Sequence, residues 1–135
     1  MKVLRLDGAE ATPIMGSRWI PIRSTLGIES FGINAYEAAA AGDVLFNEHD
    51  ETEALAGRQR HQELYVVLSG RADFTIDGKE LEATPGTLVF VEDPISRRGA
   101  VAAAPGTRVL AVGGPVGEPY QPAPWEARFL EARAL

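Results

Sequence analysis

Two histidines, His49 and His61, and no cysteine set the starting point for any metal or nucleophilic chemistry in this chain. The lack of thiols excludes zinc–thiolate sites, disulfide scaffolding and thiol nucleophiles together, so a transition-metal site must be built from imidazole and carboxylate. Two histidines cannot fill a three-histidine site within one chain. His61 and Glu63 stand two residues apart, which on a strand puts both side chains on one face, and Tyr65 continues that face with a hydroxyl. Arg58 and Arg60, with Glu51 and Glu53, make a charged loop too short to signal nucleic acid. No Gly-rich phosphate loop, nucleophile elbow or Ser-His-Asp order is present.

The elements that must position these groups fit in one domain, residues 1–135. Thirteen basic against nineteen acidic side chains give a net charge of −6, which argues against nucleic acid or an anionic membrane surface as a partner. Met1 to Gly8 carries charges every few residues and lacks the apolar stretch of a secretion signal. No segment approaches the about 18 apolar residues of a membrane span, and a cytoplasmic location is expected.

From Arg18 to Gly113 short β-type runs alternate with Gly, Pro and Asp punctuation, the rhythm of an all-β sandwich or barrel. Candidate strands are Trp19 to Arg23, Phe31 to Glu37, Val44 to Glu48, Glu63 to Leu68, Ala72 to Ile76, Thr87 to Val91, Arg97 to Ala102 and Thr107 to Val112. Asp77-Gly78 suits a type I′ hairpin, whose two central residues both need φ > 0. Thr87 to Val91 is apolar throughout and is expected to be buried on both faces. Pro115, Pro119, Pro122 and Pro124 hold the C-terminal arm extended, and Pro124 opens a helix through Leu135 with Trp125, Phe129 and Ala132 on one face. Trp19, Trp125 and Tyr120 are expected to seal a barrel end or an interface between copies.

The segment His61-Gln62-Glu63-Leu64-Tyr65-Val66-Val67-Leu68-Ser69-Gly70, followed by Asp77-Gly78 and Pro85-Gly86-Thr87-Leu88-Val89-Phe90-Val91, resembles the cupin superfamily. The likeness covers Gly42 to Gly113. The superfamily's motifs read G-x5-H-x-H-x3/4-E-x6-G and G-x5-P-x-G-x2-H-x3-N, and their three His and one Glu hold a divalent metal. Glu63-x6-Gly70 matches. Counted from Gly42, the His pair falls on Glu48 and Asp50, while a slip of one residue lands on His49 and Glu51, the pair preferred here by donor type. The segment Thr52 to Gln62 separates Glu51 from Glu63, where the pattern has three or four residues. Counted from Gly86, the second-motif His falls on Arg97, which has no lone pair to give a metal.

The resemblance implies an antiparallel cupin-type jelly-roll barrel with its core over 42–113, N-terminal strands over 1–41 and a C-terminal arm over 114–135. It also implies a homodimer. Tyr65, Phe46 and Phe90 are expected in the interior, and Arg97 is expected to face inward to Glu63. The leading functional expectation is a binding module without the four-ligand metal site, holding a small anionic molecule through Arg97, Glu63, Tyr65 and His61. The alternative is a metal-dependent enzyme, isomerase or dioxygenase-like, with Mn, Fe or Zn on His49, Glu51, His61 and Glu63.

Overall fold

The computed structural model describes residues 1–14, 16–52 and 59–134. Glu53, Arg58 and Leu135 lie outside the described residues, as do the side chains of Phe129 and Ala132. Ten strands and two helices follow in order: β1 Thr12–Ile14, β2 Ser17–Ile20, α1 Ile22–Leu26, β3 Gly32–Ala38, β4 Val44–His49, β5 His61–Ser69, β6 Ala72–Ile76, β7 Lys79–Ala83, β8 Leu88–Val91, β9 Arg98–Ala102, β10 Thr107–Pro115 and α2 Pro124–Ala134. They form two antiparallel sheets, ordered β1-β2-β3-β10-β5-β8 and β4-β9-β6-β7, in a jelly-roll barrel. Among the described residues no helix is long and apolar enough to cross a membrane.

Strand alternation fills the barrel. Val109 and Ala111 of β10, Tyr65 and Val67 of β5, Val89 and Val91 of β8, and Phe74 of β6 are buried in one cluster. Phe46 of β4 stacks on Tyr65 at 4.9 Å between ring centroids, and Tyr65 meets Phe74 at 5.6 Å. These three rings make an apolar floor beneath the polar groups of β4 and β5. A second cluster lies on the outer face of the larger sheet, where Leu4, Leu6 and Leu26 cover Ile20, Ala35 and Leu110.

Two local expectations are changed by the fold, and one strand is added. The run from Trp19 leaves the sheet at Ile20, because Pro21 has no N–H to give a ladder, and the chain turns into α1, closed by Gly27 at φ 72°. β1, which no strong alternation announced, pairs with β2. Thr87 to Val91 is buried on one face only: β8 is an edge strand, so Leu88 and Phe90 point outward, 62% and 57% exposed, while Val89 and Val91 enter the core. The β6–β7 hairpin turns through Asp77 at φ 48° and Gly78 at φ 79°, as a type I′ turn requires.

Gly70 holds the β5–β6 turn at φ +70°, and a Cβ there would stand 2.5 Å from the Thr107 Cα. Thr107 is fully buried; its hydroxyl donates to Ala104 O at 2.7 Å and accepts from Arg71 N at 3.1 Å. Gly70→Ala is therefore expected to cost at least about 2 kcal/mol, through backbone strain and overpacking together. Gly78→Ala, at a similar φ but with nothing within 4 Å, should cost about 1 kcal/mol. Urea unfolding of the two variants checks the contrast, and equal midpoints would refute it.

Candidate functional site

An irregularity in β4 decides which side chains enter the barrel. Phe46 pairs with Ala100 and His49 with Arg98, so three steps on β4 oppose two on β9. This bulge puts Phe46 and His49 on the same face, although strict alternation over three residues would separate them. Gly99 permits it, since a Cβ there would come within 3.1 Å of the Glu48 backbone. Glu48 is left outside, half exposed, while His49 and Glu51 line the interior cavity.

His49, Glu51 and Glu63 converge there, with one ligand atom of each lying within 4.8 Å of the others. His49 Nδ1 is 2.8 Å from Asn47 O, and a carbonyl only accepts, so Nδ1 carries the proton. His49 Nε2 stands 3.0 Å from Glu51 Oε1. Glu63 faces Glu51 in turn and accepts a short hydrogen bond from the Tyr65 hydroxyl. Burial pushes the Glu63 carboxyl well above its ordinary range, and the neighbouring Glu51 charge pushes it further. Burial also acts to raise Glu51, but the hydrogen bonds from His49 and Glu63 outweigh it and hold Glu51 low. The pair thus shares a proton residing on Glu63. Burial is the main cause that keeps Tyr65 a neutral phenol.

Behind the two carboxylates lies Arg98 of β9, with no exposed surface. Its Nη1 is 3.5 Å from Glu63 Oε1 and 4.0 Å from Glu51 Oε1, and its Nη2 donates to Asp93 O at 3.3 Å. Among the described residues its Nε and Nη1 have no hydrogen-bond partner. In front of the carboxylates opens a cavity of about 360 Å³, walled by Leu45, Phe46, Ala111 and Trp125 among others. No Lys or Arg lines it among the described residues.

Solved structures of the same shape carry cupin descriptions. A cupin protein from Bacteroides fragilis is 21% identical, with 84% of this chain and 91% of that one covered at a TM-score of 0.61. The chain has the cupin fold. A sugar phosphate isomerase of the cupin superfamily from Silicibacter pomeroyi is 18% identical over 83% of this chain and 74% of that one, with a TM-score of 0.64. KdgF from a Halomonas species is 15% identical over 84% and 92%, with a TM-score of 0.63. No protein-family model and no curated protein sequence matches this chain.

Two expectations about the site are corrected by its geometry. Arg97 does not face Glu63. Its backbone N–H donates to Asp77 Oδ1 at 2.8 Å and its guanidinium, more than half exposed, pairs with Glu48 at 3.4 Å outside the barrel. The turn from Asp93 to Ser96, closed by Ser96 N donating to Asp93 O, runs one residue longer than the motif spacing, and alternation then brings Arg98 inward. His61 does not join the metal-ligand cluster either. It shares the inward face with Glu63 but lies about 7 Å further along the strand, toward the mouth. There its ring packs on Tyr120 at 5.5 Å and its Nε2 lies 3.4 Å from Gln59 Oε1. Burial lowers its pKa and keeps it neutral.

The cupin barrel's remaining wall comes from the C-terminal arm, through Tyr120, Ala123, Trp125 and Glu126. Gln59 fastens the arm, donating to Pro119 O at 2.6 Å and accepting from Gln121 N at 2.8 Å. Arg23 pairs with the buried Glu126 at 3.2 Å, and Trp19 meets Trp125 edge to face at 5.3 Å. Burial, with help from the Glu126 charge, pushes the Tyr120 phenol up to about 12. Gly32 and Gly113, paired across β3 and β10, leave the space: a Cβ on the first would meet the Tyr120 hydroxyl at 2.9 Å, and on the second Glu63 Cγ at 2.9 Å. Sequence reasoning missed Gln59, Glu126 and Arg98. The nearest signals were the Pro124 helix start for Glu126 and the adjacent arginines 97 and 98.

The raised carboxyl of Glu63 has a pH signature. A group whose folded pKa lies above its unfolded value, here above 4.5, contributes stability at low pH that is lost as pH rises through the folded value. Glu63→Gln should abolish that loss. In the presence of chelator the variant is expected to exceed the wild type by on the order of 1 kcal/mol at pH 8 and to match it near pH 4. Denaturant titrations across pH provide the check, and a difference constant with pH would refute it.

Proposed function

We propose that this cupin binds one divalent cation through His49 Nε2, Glu51 and Glu63, and presents it to a small molecule held in the adjoining cavity. The observation that carries this reading is the convergence of acceptor atoms: an imidazole whose other nitrogen is already committed to Asn47 O points its remaining lone pair at two carboxylates. A His tautomer fixed by a backbone carbonyl is the usual outer support of a metal-ligating imidazole. The donor set of one nitrogen and two carboxylates suits Mn, Fe or Zn. The bound ion would supply Lewis acidity toward an oxygen of the ligand.

The chain's own groups do the rest. Tyr65 orients the Glu63 carboxylate by donating to it, Asn47 O orients His49, and Arg98 balances part of the carboxylate charge. The walls of Leu45, Phe46, Ala111 and Trp125 favour a ligand with an apolar body, and the cavity is of the size that takes a small metabolite rather than a polymer. The described lining offers no guanidinium or ammonium, so an anion would have to be held by the metal and not by an arginine clamp. The likeness to a sugar phosphate isomerase accords with an isomerase-type reaction on the metal.

A second reading, a metal-free binding barrel, draws on the proton shared by Glu51 and Glu63 and on the Arg98 countercharge. Metal analysis separates the two. Protein purified without added metal or chelator, then titrated with Mn²⁺ or Zn²⁺, is expected to hold one ion per chain, and His49→Ala is expected to lower affinity by at least about 100-fold. Affinity should rise with pH, because the ion displaces the carboxyl proton. Failure of the wild type to hold metal as purified and to bind either Mn²⁺ or Zn²⁺ would leave only the metal-free reading.

We also propose a homodimer. The outer face of β5 and β8 exposes Leu68, Leu88 and Phe90 together beside the free β8 edge, an apolar surface that a second copy would cover. Light scattering should give twice the chain mass, and Phe90→Asp with Leu88→Asp should give the monomer. A monomeric wild type would dispose of this part of the proposal.

A further inference from the structure

Arg98 is the largest fully buried charged side chain among the described residues, and it is used incompletely. Buried guanidinium groups normally commit their N–H donors, because an unsatisfied buried donor is costly. Here Nη1 is held at 3.5 Å and 4.0 Å from the two carboxylates, and Nε and Nη1 make no hydrogen bond among the described residues. The carboxylates direct their oxygens at His49, at Tyr65 and at each other instead. Arg98 is also the β9 partner of His49, so it enters the site from the strand that faces the imidazole.

The charges follow from this placement. Two carboxylates and one guanidinium sum to −1 when no ion is held between them. With a divalent ion bound the same groups sum to +1. The guanidinium thus supports the empty site and opposes the filled one. We propose that Arg98 is a resident countercation that stands in for the metal, keeping the barrel folded when the ion is absent and weakening the ion's hold on Glu51 and Glu63. The inference rests on the metal reading above and adds to it that binding at this site is reversible and uncoupled from folding. Arg98 acts here as a positioning residue, through the carboxylates, and touches no ligand.

The test uses the full-length protein, Mn²⁺ alone as probe, and the variants Arg98→Gln and Arg98→Lys. Calorimetric titration gives affinity, and thermal unfolding with chelator or with Mn²⁺ gives the midpoints. Arg98→Gln is expected to bind Mn²⁺ more than about tenfold tighter than the wild type, since a unit charge is removed from beside the divalent ion. Without metal it should melt below the wild type, and Mn²⁺ should raise its midpoint by more than it raises that of the wild type. Arg98→Lys keeps the charge and should bind within about threefold of the wild type.

If Arg98→Gln does not fold in chelator, the double variant Arg98→Gln, Glu51→Gln, with the site's charge balance restored, is expected to fold there. Its failure to fold would overturn the countercation role in favour of packing. Unchanged or weaker Mn²⁺ affinity in Arg98→Gln, with the wild type binding through His49, would overturn this inference and leave the metal reading standing. Binding by Arg98→Gln alone would support the countercation and overturn the claim that the native chain retains the ion. Absence of binding in both would overturn both.

Discussion

Two carboxylates facing each other inside a barrel are the constraint around which this structure is organised. Glu51 and Glu63 cannot both be ionised and buried without help, since each lost hydration shell costs several kcal/mol and their repulsion adds to that. Every neighbour contributes a remedy: Tyr65 donates a hydrogen bond, His49 faces Glu51, Arg98 sits behind, and Glu63 retains a proton. The aromatic floor of Phe46, Tyr65 and Phe74 makes these remedies necessary, because it denies the carboxylates water from below. The same floor makes them effective, because charges interact more strongly where water is excluded.

Much of the barrel was legible because strand periodicity and turn chemistry are local. The Asp77-Gly78 hairpin, the Glu63-x6-Gly70 spacing and the strands from β3 to β10 other than β7 could be read from alternation and from residues that tolerate positive φ. Inward direction at β9 was not legible, because it depends on the length of one turn. Between Asp93 and Ser96 a single extra residue exchanges Arg97 for Arg98, and adjacent arginines look identical to a motif count. Phe90 was misread for a related reason: an apolar run does not reveal whether its strand is central or at an edge, which is set by chain topology.

At β4 the opposite problem arose. Periodicity alone offered Glu48 with Asp50 or His49 with Glu51, and the choice is made by a bulge opposite Gly99, a residue fifty positions away in the chain. Gln59 and Glu126 were invisible for a similar reason. Each acts through a partner from a different segment, Pro119 and Gln121 for the first and Arg23 for the second. Long-range pairing of this kind has no counterpart in local composition.

The cavity's two walls have different origins. The polar end is made by β4, β5 and β9, whose register is tied to the core, and the opposite side is made by the arm after β10, which touches the barrel through Gln59, Arg23 and Trp19. The polar groups and the shape of the cavity are therefore written in separable stretches of sequence. Substitutions at Tyr120, Ala123 or Trp125 can reshape what the cavity admits while the carboxylate pair and its counterion stay as they are. The arm is in this sense a replaceable wall, set against a polar end whose strands are fixed by the core.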